Sequence, residues 1–232
     1  MKQIPFLTRL AKGGKVVIQI SVIIVLFIFA SEGPNGGGTF TSDAGNGGEW
    51  MWNSPSNAGA SDNVYANFNA DNSSNSEWLM ATNFGFSSVS GTVNGIVVEI
   101  EQRGVTGSVF EQDIRLVKGG TVQGDDKSTG ANLPVTDTYV SYGSSSDLWG
   151  LSWNAGDITA STFGVVFSVA FSTPTLTRVD HIRITVYYTL ATPPTKRRVF
   201  GEIRDMNGNG EVELVDEYDY RVSAKGGWKF AH

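Results

Sequence analysis

Residues 182–188 read Ile182-Arg183-Ile184-Thr185-Val186-Tyr187-Tyr188, and their strict alternation decides the fold class. In a strand successive side chains point to opposite faces. Ile182, Ile184, Val186 and Tyr188 therefore share one face, and His181, Arg183, Thr185 and Tyr187 the other. One face meets a core and one meets solvent, the pattern of an antiparallel sheet covered on one side. The same logic places Ile96, Val98 and Ile100 inward in Ile96-Val97-Val98-Glu99-Ile100-Glu101. In residues 163–171 Val165, Phe167, Val169 and Phe171 line one side, with the small Ser168 and Ala170 opposite, so both faces are partly covered. Further strands are expected within residues 62–68, 78–86, 109–117 and 138–142. Seven or more short strands separated by Gly, Ser, Asn and Asp, without a long helical period, predict an all-β chain. Its expected form is an antiparallel β-sandwich, jelly-roll-like, with a short C-terminal calcium loop–helix.

Composition narrows the chemistry. The 232 residues hold 28 glycines in no three-residue period, 11% aromatic residues and no cysteine. A collagen-like chain is excluded, and disulfides, zinc–thiolate sites, iron–sulfur clusters and cysteine nucleophiles go together. Two histidines, His181 and His232, are too few for a three-histidine metal site.

The first thirty residues carry Lys2, Arg9, Lys12 and Lys15 and no acid, and residues 16–30 form an apolar run broken only by Gln19 and Ser21. At 15 residues the run is shorter than the roughly 20 that span a bilayer as a helix. Residues 1–30 are read as a signal peptide cut near Ala30 or Ser31, with a retained N-terminal anchor and a pilin-like leader cut near Gly13-Gly14 as alternatives. Membrane contact is expected only through this segment if it stays uncut. Its loss removes four of 17 basic residues and none of 23 acidic ones, taking the net charge from −6 to −10. An acidic chain is a poor partner for nucleic acid. A cysteine-free exported protein fits a prokaryotic surface or secreted location.

Residues 31–48 are Gly-, Ser-, Thr-, Asn- and Asp-rich and read as a linker or a loosely held first strand. Residues 49–190 are the sandwich. Pro193-Pro194 and Lys196-Arg197-Arg198 mark a second linker over residues 191–202. Residues 203–232 form the tail.

That tail holds the strictest motif, Asp205-Met206-Asn207-Gly208-Asn209-Gly210-Glu211-Val212-Glu213-Leu214-Val215-Asp216. Calcium takes six to eight oxygens, so alternate residues of a curling loop must aim inward. Asp205, Asn207 and Asn209 stand at positions one, three and five. Gly210 allows the turn that presents the carbonyl of Glu211, Glu213 ligates directly or through water, and Asp216 closes the shell. The expected cofactor is Ca2+, and Asn at two ligand positions predicts modest affinity. A plain Asn-Gly-Asn-Gly turn would not require Asp205, Gly210, Val212 and Asp216 in register.

With Asp at its twelfth position, this spelling resembles a single dockerin type I repeat, an EF-hand-like calcium unit, over about residues 200–224. The resemblance implies a helix at residues 214–223 and a cohesin-like or self partner; the family packs two repeats where this chain has one. The body, from Asp62-Asn63-Val64-Tyr65-Ala66 through Ala81-Thr82-Asn83-Phe84-Gly85-Phe86 to residues 179–188, resembles a β-sandwich module of uncharacterised exported and phage-encoded proteins, which implies fold alone.

Weaker candidates lie in the body. Trp50, Trp52, Trp78, Trp149 and Trp153 are expected in core and rim, with a sugar-stacking platform for a polysaccharide as the alternative. Asp180-His181 lacks a Gly-x-Ser-x-Gly nucleophile elbow, and Glu99 with Glu101 is a carboxylate pair on one face. The expected function is therefore non-enzymatic: an exported, extracellular or cell-surface structural or adhesive protein with a calcium-binding assembly motif. A carbohydrate-binding module and a subunit of a surface filament or virion-like appendage are the rivals.

Overall fold

The computed structural model describes the backbone of residues 17–24, 27–106, 108–172, 174–191, 195–204, 213–216, 220–223 and 227–230, and side chains between residues 28 and 190. The chain divides into two compact units, one made of residues 1–26 and 192–232 and the other of Phe27–Ala191.

In the larger unit, β2 (Phe27–Gly36), β3 (Thr39–Asp43), β4 (Ala66–Ala70), β5 (Ser74–Asn75), β6 (Trp78–Thr82), β7 (Thr92–Thr106), β8 (Val109–Lys118), β9 (Thr121–Gln123), β10 (Thr138–Ser144), β11 (Gly164–Phe171) and β12 (Thr175–Ala191) form two antiparallel sheets. The order is β10-β7-β12-β2, with β4 also on β12, in one sheet, and β3-β6-β11-β8-β9, with β5 on β11, in the other. The chain changes sheet at each step from β2 to β3, β4, β6, β7, β8, β10, β11 and β12. Every expected strand region overlaps one of these strands, and β7 and β12 run to 15 and 17 residues.

Alternation builds the core. Ile96, Val98 and Ile100 of β7 and Ile182, Ile184 and Val186 of β12 are buried. They join one apolar cluster with Leu79 and Ala81 of β6, Ile114 and Leu116 of β8, and Val165, Phe167 and Val169 of β11. Trp52 locks the layers: its ring lies 5.0 Å from Phe68 and 6.0 Å from Phe167. Burying each such side chain contributes about 1.5–3 kcal/mol. β11 lies between β8 and β6 and is covered on both faces, Ser168 included. A single helical turn, α1 (Ala155–Thr159), was not foreseen; Asn154 and Asp157 cap it reciprocally.

Of residues 31–48, read as a linker or a loosely held first strand, residues 31–36 and 39–43 are strand. They complete β2 and form β3, one edge strand for each sheet.

The smaller unit is an antiparallel array in the order β1 (Val17–Ile24), β13 (Thr195–Arg204), β14 (Glu213–Asp216), β15 (Tyr220–Ser223) and β16 (Gly227–Phe230). The expected helix over residues 214–223 is corrected here: its described parts are the strands β14 and β15, paired from Glu213–Ser223 to Val215–Arg221. Leu214, Val215, Tyr220 and Val222 are residues that strands favour or tolerate, and the helical expectation came from the resemblance rather than from a 3.6-residue period. Among the described residues no helix is long and apolar enough to cross a membrane.

Candidate functional site

Of the expected calcium ligands, Asp205, Asn207, Asn209 and Glu211 lie outside the described residues. Glu213 and Asp216 begin and end β14, where they are register partners of Arg204 and Gly201. Among the described residues no group of three or more acidic or histidine side chains is placed to hold a metal.

The body's polar side chains do converge, on the outer face of the sheet β10-β7-β12-β2. Cross-strand register sets Tyr139 beside Glu101 and Glu101 beside His181, and in the next row Ser141 beside Glu99 and Glu99 beside Arg183. A bulge between Val179 and His181 lets Asp180 leave this face. Asp180 is 2% exposed and accepts the amides of Asn63 at 3.1 Å and Asp62 at 3.4 Å. Burial pushes its carboxyl above the ordinary value, opposed by those amides.

His181 is held from two sides. Its Nδ1 is 2.8 Å from the Tyr139 hydroxyl, and a Cβ on Gly36 would stand 2.9 Å from Nε2, so a side chain there would press on the ring. Burial, then Arg183, lowers the affinity of the imidazole for a proton. Asp180 faces loop amides rather than His181, so no Asp–His relay forms. Both oxygens of Glu99 are taken by Arg183, from Nε at 2.9 Å and Nη2 at 3.0 Å, and the guanidinium carbon sits 4.0 Å from the Tyr139 ring centroid. A carboxylate so occupied is a brace and not a free general acid.

The row beyond is Arg103 beside its register partner Arg178. Like charges placed directly opposite repel. Tyr65 relieves the pair: its ring centroid is 5.0 Å from the Arg103 guanidinium and 4.9 Å from that of Arg178, and its hydroxyl donates to Asp137 at 3.0 Å. Arg103 Nε also approaches Asp137 at 3.3 Å. The Glu101 Oε2 atom is buried without a hydrogen-bond partner.

The tryptophans take the packing role. Trp52 and Trp149 are buried, and the half-buried Trp50, Trp78 and Trp153 donate their indole N–H to Asn72, Asp113 and Leu148. Lys118 and Phe163 flank Trp153. The sequence aligned Glu99 with Glu101 on one strand face and His181 with Arg183 on another; their joining across β7 and β12 comes from the register. Tyr139, Arg103 and Arg178 carried the same signal, alternation within their strands, but Tyr65 reaches the row from a loop and had none. Comparison with protein-family models, with curated proteins and with solved structures gives no match to this chain.

Proposed function

We propose that this chain is an exported, non-enzymatic attachment or assembly protein of a prokaryotic surface. Its body is a jelly-roll-like sandwich, and its tail carries a dockerin-like calcium loop at Asp205, Asn207, Asn209, Glu211, Glu213 and Asp216. The observation that carries the non-catalytic half is the bracing of the polar face: His181 is bonded to Tyr139, Glu99 to Arg183, and Asp180 to loop amides. The alternation of consecutive strands between sheets supports the jelly-roll reading. The basic, then apolar, leader supports export, and the oxygen-residue order of the loop supports calcium.

Calcium titration of the full chain by calorimetry, with limited proteolysis alongside, tests the tail. One site is expected, with slower cleavage within residues 203–232 when calcium is bound and both effects lost in Asp205→Ala/Asp216→Ala. No heat and unchanged cleavage would remove calcium from the proposal. The filament-subunit reading is favoured by one observation, an N-terminal segment that adds an edge strand to each sheet.

A further inference from the structure

The geometry points to an exchangeable arm: residues 31–43, which stay in the chain after a cut near Ala30 or Ser31, are built to leave their own body and pair with the same two sheet edges on a second copy of this chain. This deepens the assembly half of the proposed function and rests on it. No described side chain from Ile28 to Met51 is buried, although Ala30, Phe40 and Trp50 pack half-covered against the core. Among the described residues the first buried one is Trp52. The arm is held instead by backbone ladders, β2 along Arg183–Tyr187 of β12 and β3 along Trp78–Thr82 of β6.

What specifies the arm is equally portable. The Glu32 carboxylate accepts the Ser87 and Ser88 amides at 2.9 and 2.8 Å, and Ser42 donates to Glu77 at 2.6 Å. At Gly33 the backbone has φ +112, and a Cβ would come within 2.5 Å of the Ile184 carbonyl oxygen, so the arm sits against β12 more closely than any other residue type permits. A second copy presents the same amides, the same carbonyl and the same register.

Withdrawal of the arm opens one edge on each sheet, and an open edge is a template for another strand. A Gly-containing turn at residues 44–47 lies between the arm and the first core anchor, and Gly47 there has φ +72 with open space around it. Reciprocal exchange closes a dimer, and one-way exchange propagates a chain of copies. The net charge, −6 for the whole sequence and −10 without residues 1–30, opposes close approach of copies, so added salt favours exchange.

Thr39 and Thr82 are register partners in β3 and β6. Antiparallel partners lie within disulfide reach, and the chain has no cysteine of its own. A full-chain Thr39→Cys/Thr82→Cys variant, prepared as a mixture of 14N and 15N protein, is unfolded, refolded together at rising concentration and oxidised. Covalent dimers and larger species are expected, increasing with concentration and salt, with 39–82 cross-links joining light to heavy peptides. Cross-links confined to single chains at every concentration would overturn the exchange. Should that variant not fold, Ser31→Cys/Tyr187→Cys places the same test between β2 and β12. Neither pair lies in the tail, so failure here leaves the calcium titration to stand or fall alone.

Discussion

At the scale of single residues, the body contains a polar network that an all-apolar alternation would not include. Tyr142, 4% exposed, donates to Glu111 at 2.7 Å and accepts from Gln102 at 2.7 Å, and Glu111 also takes the amide and hydroxyl of Thr129 at 2.9 and 2.8 Å. Burial, then Glu111, pushes the Tyr142 phenol well above its ordinary range, so it stays a donor. Tyr142→Phe strands a buried carboxylate oxygen and a buried amide, and denaturant unfolding is expected to show a loss of about 1–3 kcal/mol. His181 gives a pH signature. Its imidazole is surrounded by Arg183, Glu101, Asp180, Glu99 and Tyr139, and its proton affinity is lowered on folding. A histidine with a depressed folded pKa binds fewer protons folded than unfolded, so its contribution is full above about pH 6.5 and is lost as pH falls below that value. The melting temperature should drop between pH 7.5 and 5.5, and the drop should shrink in His181→Asn. An unchanged slope in that variant would assign the titration elsewhere.

At the scale of elements, period-two patterning was enough to find β4, β6, β7, β8, β10, β11 and β12, because each has one face that must be apolar. It failed where burial leaves no trace. No described side chain of β2 or β3 is buried, so their Gly, Ser and Asn residues gave no inward face to read, and backbone pairing, with Ala30 and Phe40 half-covered, makes them strands. α1 is one turn long, too short for a helical period, yet the Asn154–Asp157 pair is a capping signature that the sequence did carry. The outer polar face was half legible: alternation aligned Glu99 with Glu101 and, separately, His181 with Arg183, but that the two strands are neighbours and which carboxylate meets Arg183 depend on cross-strand register, and the bulge that turns Asp180 away has no sequence mark. The weight of a cap and of an edge contact can be compared directly. Asn154→Ala should cost about 0.5–2 kcal/mol by thermal or denaturant unfolding. Gly33→Ala should instead loosen β2, read as faster amide hydrogen exchange along Arg183–Ala191, because the added methyl meets the Ile184 carbonyl. Equal protection in that variant would show that the arm tolerates a side chain there.

At the scale of the whole molecule, a chain without cysteine has no covalent constraint on its unfolded state, so the body depends on its buried layers and on strand pairing alone. Apart from β5 with β6 and the β8–β9 hairpin, consecutive strands of the body lie in opposite sheets, and most pairings therefore join residues distant in sequence, as in β7 with β12 and β8 with β11. Such topologies close long loops before contacts repay them and fold in milliseconds to seconds. Until β2 and β3 pair, the two sheets each have an open edge, and in the proposed exchange this is the interval in which a second copy can pair there. The body's compactness gives a test at this scale. Residues 27–191 expressed alone should unfold in one cooperative transition with a midpoint indifferent to reductant and to calcium, since the expected calcium ligands all lie beyond residue 191. Phe167→Ala within it, removing a fully buried ring that touches Trp52, should cost about 3–5 kcal/mol and lower that midpoint by many degrees. A broad, non-cooperative transition in the parent fragment would mean that residues 27–191 need the rest of the chain to close their core.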